Sequence, residues 1–315
     1  MGATQEEPPP GIGTIAEVVE VAFGATAEEV ASVLPGADVL LAWRADRELL
    51  QDAWARAEEL RWIQSASAGV DRLLFPGLVE GHVVLTNARG VFDEAIAEYV
   101  VGLFLLFAKG LAGVRDRQRR GEWLHQETER LAAKRVLVVG VGSIGQAIAR
   151  SCRALDMQVR GVARTPRARE GAFEAIDGID GLVGAVRRAD FVVDALPATA
   201  ETRHVFGEEV FGAMRPSTRF VNVGRGSTVD EQALVRVLAD GRLAGAALDV
   251  FEEEPLPPSS PLWSMPNVIV SPHMSGDAAG WKEAVVELFV ENLERYLTGR
   301  PLRNVVDKRR GYVPS

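Results

Sequence analysis

Leu137-Val138-Val139 runs directly into Gly140-Val141-Gly142-Ser143-Ile144-Gly145, and then into Gln146-Ala147-Ile148-Ala149-Arg150. A G-x-G-x-x-G spacing is weak on its own. The apolar β-branched run before it and the helix-compatible run after it narrow the choice to strand, tight turn and helix. In that setting Gly140 permits the turn, Gly142 lets the backbone approach a pyrophosphate, and Gly145 lets helix and strand pack closely. Ser143 and Ile144 open the helix, whose N-terminal N–H groups and partial positive charge suit phosphate oxygens. A purely structural turn in some other doubly wound protein is the bland alternative. The context favours a dinucleotide site.

The rest of the chain alternates strand-like and helix-like runs, the signature of βαβ units and a mostly parallel sheet. Residues 17–22, 38–42, 61–65 and 83–86 read as strands of a first block. A helix over 26–34 is capped by Thr26, and an Ala/Glu/Leu-rich helix runs on through Leu60. One long helical run without proline covers 92–119, and its apolar residues between Tyr99 and Phe107 crowd all sides, as in a helix buried all round. A second block has strands at 135–139, 158–163, 191–194, 220–223, 246–250 and 268–270. Gly121, Gly241 and Gly299 sit where helices stop. A last helix over 283–298 carries Val285, Leu288, Phe289, Leu293 and Leu297 along one face. The expected fold is α/β, with two doubly wound parallel-sheet domains and a cleft between them. The larger is a Rossmann cofactor domain over 90–274, and the smaller combines 11–89 with 275–315. The first ten residues read as a disordered tail.

Composition fits this picture. The chain has 315 residues, 47% hydrophobic and 25% charged, enough apolar surface to offset the entropy of ordering. A net charge of −9 repels phosphate backbones, so no nucleic-acid partner is expected. Cys152 is the single cysteine; it can form no internal disulfide and reads as a small buried side chain in a reducing compartment. The apolar stretch at 99–108 is far shorter than the roughly 20 residues of a membrane span. The acidic, proline-rich start lacks the apolar core of a signal peptide, and Glu6 stands where a myristoylation signal wants Ser or Thr. A cytoplasmic protein without membrane association is expected.

About 20 residues past the glycine loop, a carboxylate usually receives the ribose hydroxyls of a cofactor without a 2′-phosphate. This chain reads Val162-Ala163-Arg164-Thr165-Pro166-Arg167 there, with two arginines and no acid. A guanidinium can hold a phosphate bidentately where a carboxylate would repel it. NADP is therefore the expected cofactor ahead of NAD, with Arg164 and Thr165 at its ribose. Solvated surface charges are the alternative for Arg164 and Arg167.

Three further segments place polar residues at or just past the ends of expected parallel strands, where open α/β sheets bind ligands. They are Asn222-Val223-Gly224-Arg225-Gly226, then Ala247-Leu248-Asp249-Val250-Phe251-Glu252-Glu253-Glu254-Pro255, and Val268-Ile269-Val270-Ser271-Pro272-His273. With the glycine loop these make four ordered motifs, and together they resemble the D-isomer-specific 2-hydroxyacid dehydrogenase family, in particular its glyoxylate/hydroxypyruvate reductase-like members. The resemblance runs from about Ala31 to Asn304. It implies hydride transfer between a nicotinamide cofactor and a small 2-oxo or 2-hydroxy acid of D configuration.

By that resemblance Arg225 binds the substrate carboxylate and polarises its carbonyl, a task suited to a fixed cationic fork. Glu254 and His273 resemble the family's acid–base dyad, in which an imidazole gives a proton to the developing alkoxide and a carboxylate fixes the ring. Asp249 is implied at the nicotinamide carboxamide, and Val223 among the cofactor-binding residues. The Pro197-Ala198-Thr199-Ala200-Glu201-Thr202 loop, with Pro197 and Thr202, is implied beside the cofactor. Gln64-Ser65-Ala66-Ser67-Ala68-Gly69-Val70 resembles the loop whose N–H groups hold the substrate carboxylate, through Ala68, Gly69 and Val70. Small residues there let amide groups reach an anion. Taken singly, Arg225 could be a surface charge, 252–254 a solvated acidic run and His273 a strand-end histidine. His82, His125 and His204 are read as structural.

The resemblance implies a homodimer, for which the 92–119 helix and Trp123 offer a surface, and needs no metal. Arg89 stands where the family commonly has proline, and few residues precede Glu17, which leaves the edge of the smaller sheet shortened. With the chain ending at Ser315 no regulatory extension is expected, and serine biosynthesis gains no support. The rival from another class is a corepressor-like protein on the same fold that senses NADPH rather than turning it over.

Overall fold

Strands buried on both faces need unbroken apolar runs, and the second half of the chain supplies them. The computed structural model describes all residues except Ala45, Arg169 and Ser315. The chain divides into two units, Met1–Phe92 with Ala278–Ser315, and Asp93–Asp277.

The smaller unit is built on three parallel strands, β1 (Val39–Ala42), β2 (Trp62–Ser65) and β3 (Val84–Thr86), in the order β1-β2-β3. Helix α1 (Ala27–Val33) leads into β1, and α2 (Arg47–Ala53) and α3 (Pro76–Glu80) lie between the successive strands. Thr26 caps α1 in a full capping box with Glu29, and Asp46 caps α2.

The larger unit holds seven parallel strands in the order β10-β9-β8-β7-β4-β5-β6. These are β4 (Arg135–Val139), β5 (Gln158–Ala163), β6 (Ile176–Gly178), β7 (Phe191–Asp194), β8 (Arg219–Asn222), β9 (Gly245–Leu248) and β10 (Val268–Val270). Helices α4 (Asp93–Lys109), α5 (Leu111–Arg120), α6 (Ser143–Ala154), α7 (Leu182–Val186), α8 (Glu208–Ala213) and α9 (Glu231–Ala239) flank them. From β4 the chain builds outward through β5 and β6, then returns to the other side of β4 with β7. Loops leaving β4 and β7 therefore diverge, which is where such sheets bind ligands. Phe206, Phe211 and Phe220 pack at 5.0 to 6.2 Å between ring centroids in the core beneath. Each buried phenylalanine contributes about 2–3 kcal/mol.

The final helix, α10 (Trp281–Leu297), belongs to the smaller unit. Its Phe289 stacks on Trp62 of β2 at 5.5 Å, and its buried Asn292 donates to Gln64 Oε1 at 3.0 Å. Trp62 Nε1 in turn donates to Thr86 at 2.7 Å, so the polar atoms under the helix are partnered.

Six expectations are corrected. Residues 17–22 form no strand: Val19, Val21 and Phe23 alternate toward the Trp62 cluster, but no ladder joins them to β1. The first residues are tied down, since the Met1 ammonium donates to Leu41 O at 2.8 Å and Ala3 bridges Gly24. The 92–119 helix is two helices bent by 60° at Gly110, which sits at φ 60°. Nor is it buried all round, because Leu105 is exposed. Leu297 lies exposed at the end of α10 rather than on its packed face, and β6 is an extra strand. No single helix among the described residues is long and apolar enough to cross a membrane. Burial pushes the Cys152 thiol up to about 12, so it stays a protonated core side chain.

Candidate active site

The glycine loop sits at the reversal of strand order. Gly140 takes φ 103°, and a Cβ there would lie 2.5 Å from Ala195 O, just past β7. A Cβ on Gly145 would lie 2.0 Å from Gly140 O, so only glycine lets α6 press this close to its strand. Gly142 is the N-cap of α6: no side chain caps the helix, and a Cβ on Gly142 would meet nothing within 4 Å. An uncapped helix start, with first-turn N–H groups at Ser143, Ile144 and Gly145 and open space before it, fits a dinucleotide pyrophosphate. The Ser143 hydroxyl is turned to Asp93 Oδ1 at 3.2 Å, at the start of α4.

Arg164 and Thr165 follow β5 and are exposed. Arg164 pairs with Glu201 at 3.1 Å, and Arg167 pairs with Glu170. Exposed pairs of this kind are worth about 0–1 kcal/mol. Glu201 rides on the loop after β7, which Thr202 closes by donating its hydroxyl to Pro197 O at 2.7 Å. The loop therefore lies beside Arg164.

The ends of β8, β9 and β10 carry the remaining residues as neighbours in one sheet, with Asn222 opposite Leu248 and Leu248 opposite Val270. After β8, Val223 is buried and Arg225 half-buried. The Arg225 carbonyl accepts from Thr228 Oγ1 at 2.6 Å and from Asn222 Nδ2 at 3.2 Å. A Cβ on Gly226 would lie 1.8 Å from the Phe251 carbonyl carbon, so the arginine turn packs directly on the chain leading to Glu254.

Asp249, one residue past β9, is buried and accepts from Ser271 Oγ at 2.6 Å, Met274 N at 3.0 Å and Ser275 N at 2.9 Å. Three of roughly four carboxylate acceptor sites are thus spent on the segment that carries His273. That segment is also held by His273 N on Asp249 O at 2.8 Å. His273 itself sits at φ 52°, a left-handed conformation that surrounding structure must impose. Its Nδ1 lies 2.9 Å from Glu254 Oε2, and Glu254 Oε1 accepts Phe251 N at 3.1 Å. A carboxylate only accepts, so Nδ1 carries the proton toward Glu254 and Nε2 is left for other chemistry.

One support was invisible in the sequence. Glu231 N donates to Glu252 Oε1 at 3.0 Å and Glu252 N to Glu231 Oε1 at 2.6 Å, a reciprocal clasp two residues before Glu254. Burial, and then the repulsion of Glu252, Glu253 and Glu254, raises the Glu231 carboxyl above its ordinary value.

Ala68, Gly69 and Val70 follow β2 in the smaller unit. The carbonyls of Ser67, Ala68 and Gly69 are taken by Ala88 N at 3.1 Å, Asn87 Nδ2 at 2.5 Å and Ser67 Oγ at 2.7 Å. In a planar trans peptide the N–H points opposite to the carbonyl. Pinning three successive carbonyls to the loop's own scaffold therefore turns the N–H groups of Ala68, Gly69 and Val70 away from it, as an anion-binding loop requires.

Residues 101–275 match the model of the D-isomer specific 2-hydroxyacid dehydrogenase NAD-binding domain. D-3-phosphoglycerate dehydrogenase of Methanocaldococcus jannaschii is 34% identical over 92% of this chain, which spans only 55% of that relative's length. Glyoxylate/hydroxypyruvate reductase A of Arabidopsis thaliana is 33% identical over 82% of this chain and 80% of its own. The NADPH-dependent glyoxylate/hydroxypyruvate reductase of Sinorhizobium meliloti, solved with NADP and sulfate, superposes with a TM-score of 0.78 at 32% identity, covering 89% of this chain and 87% of that one. With the seven-stranded sheet, its switch point and its glycine loop, these likenesses place the chain in the D-isomer-specific 2-hydroxyacid dehydrogenase family of NAD(P)-dependent oxidoreductases.

Proposed function

We propose that this chain reduces small 2-oxo acids to D-2-hydroxy acids in the manner of glyoxylate/hydroxypyruvate reductases, with NADPH ahead of NADH. The observation that carries the reading is the 2.9 Å pair of His273 Nδ1 and Glu254 Oε2, set in a left-handed strand-end turn that Asp249 holds in place. The glycine loop and α6 N-terminus would hold the pyrophosphate, and Arg164 with Thr165 the ribose phosphate. Bound there, a reduced nicotinamide supplies the hydride. Arg225 binds the substrate carboxylate and draws charge onto the carbonyl oxygen. The His273 imidazolium gives its Nε2 proton to the oxygen that becomes the hydroxyl, and Glu254 stabilises the ring while it is charged. General acid catalysis of this kind is worth about 10²–10⁴-fold.

A cytoplasmic homodimer belongs to the same reading. Leu105, Leu111, Val114, Trp123 and Leu124 expose apolar surface on α4, α5 and the segment after them, which favours self-association over a bare monomer.

The decisive experiment follows loss of reduced-nicotinamide absorbance with glyoxylate, hydroxypyruvate and larger 2-oxo acids, using NADPH and NADH in turn. Turnover with higher kcat/KM for NADPH is expected. Equal or better kcat/KM with NADH removes the assignment of Arg164 and Thr165. Tight NADPH binding without turnover of any oxo acid turns the reading toward a nucleotide-sensing binding protein.

A further inference from the structure

Asp194 closes β7 with its side chain wholly buried, and no step above uses it. Its partners carry no positive charge: Oδ1 accepts the Leu196 amide at 3.0 Å, and Oδ2 makes a short hydrogen bond with the Thr228 hydroxyl. That same hydroxyl lies 2.6 Å from the Arg225 carbonyl oxygen. A threonine hydroxyl has one proton to give. With Asp194 ionised, both oxygens facing it are pure acceptors, and one of the two close approaches would contain no hydrogen. Such a buried, unbridged contact between oxygens is costly. A proton on Oδ2 settles the count: Asp194 donates to Thr228 Oγ1, and Thr228 donates to the Arg225 carbonyl.

We propose that Asp194 is a positioning residue for Arg225, a neutral carboxylic acid whose proton is relayed through the Thr228 hydroxyl to lock the Arg225 peptide. The inference rests on reading Arg225 as the ligand of the oxo acid. The carbonyl so held also receives Thr228 N and Asn222 Nδ2, both at 3.2 Å, and the next residue, Gly226, is pressed on Phe251. Arg225 thus springs from a peptide fixed on both sides, and Asp194 supplies the deepest anchor of one side. Burial pushes the Asp194 carboxyl up to about 7 against the hydrogen bonds from Thr228 and Leu196, the direction the proton count requires. An asparagine reproduces the neutral acid atom for atom, giving an N–H to Thr228 and accepting from Leu196, whereas alanine removes the anchor.

Two measurements test this on the intact protein. In steady-state kinetics, Asp194→Ala is expected to raise KM for glyoxylate by about tenfold or more while KM for NADPH moves by less than about twofold. Asp194→Asn, which keeps the volume and the hydrogen-bond pattern of the neutral acid, is expected to recover the bulk of that loss. In difference infrared spectra of wild type against Asp194→Asn at mildly acidic pH, the wild type is expected to show the carbonyl band of a neutral carboxylic acid, shifted in D2O. The proposal is overturned by an Asp194→Ala enzyme with unaltered KM for the oxo acid, by Asn performing no better than Ala, or by absence of the band. The infrared result stands even where wild type reduces no oxo acid, an outcome that would overturn the proposed function and leave the protonation to be judged by itself.

Discussion

His273 spends conformational energy to stand where it does. Its φ of 52° lies in a region a non-glycine residue enters only when its neighbours insist. Those neighbours are Asp249, through its carboxylate and its carbonyl, and Glu254, through Nδ1. His273→Gln keeps a hydrogen-bonding side chain of similar reach but cannot carry the proton. Turnover is expected to fall by about 10²–10⁴-fold with NADPH affinity nearly intact by fluorescence titration; unchanged kcat would remove the acid–base assignment. At this scale the sequence was legible where a residue's task forces its type. Gly140 and Gly145 must be glycine because backbone fills the space of a side chain, and Arg225, Glu254 and His273 stand at strand ends in a recognisable order. Asp194 and Thr228 were not legible. Their meaning is a contact between residues 34 apart, and nothing local distinguishes a buried strand-end aspartate from an exposed one.

Among the elements, β4 and β7 are clipped together at their N-terminal ends by Asp190. Its carboxylate accepts Arg135 N at 2.8 Å and Arg135 Nε at 3.1 Å, and Arg215 Nη2 at 2.5 Å. Burial opposes ionisation, yet the arginine hydrogen bonds hold this carboxyl down at about 2, below its ordinary 3.8. The folded state therefore binds fewer protons here than the unfolded chain. The clip contributes its full stability, about 2 kcal/mol, above pH 3.8 and loses it as pH falls toward 2. Asp190→Asn is expected to lower the urea unfolding free energy by about that amount at neutral pH, with the gap to wild type closing through the acid range. A gap constant with pH would refute the mechanism. Element existence followed from periodicity, but partners did not. The alternation Val19, Val21, Phe23 reports side chains pointing at Trp62, and a ladder needs a neighbouring strand as well. The break at Gly110 was hidden because Lys109 and Leu111 are both good helix formers, and only the left-handed glycine between them ends the run.

For the whole molecule, exposed Trp123 and Leu124 are the largest departure from a polar surface. Light scattering is expected to give twice the chain mass, and Trp123→Glu to shift it toward the single chain without loss of helix by circular dichroism. A wild-type monomer would retire the homodimer. The smaller unit has a different peculiarity: Trp62 finds its stacking partner, Phe289, only after more than two hundred further residues have been added to the chain. At ribosomal speeds of about 5–20 residues per second, the nascent first sheet waits on the order of ten seconds or longer with that indole uncovered. The glycine-loop unit is complete before its companion can be. The order of assembly is thereby written into the threading of the chain, and the segment Met1–Phe92 is the part that a chaperone has most reason to hold.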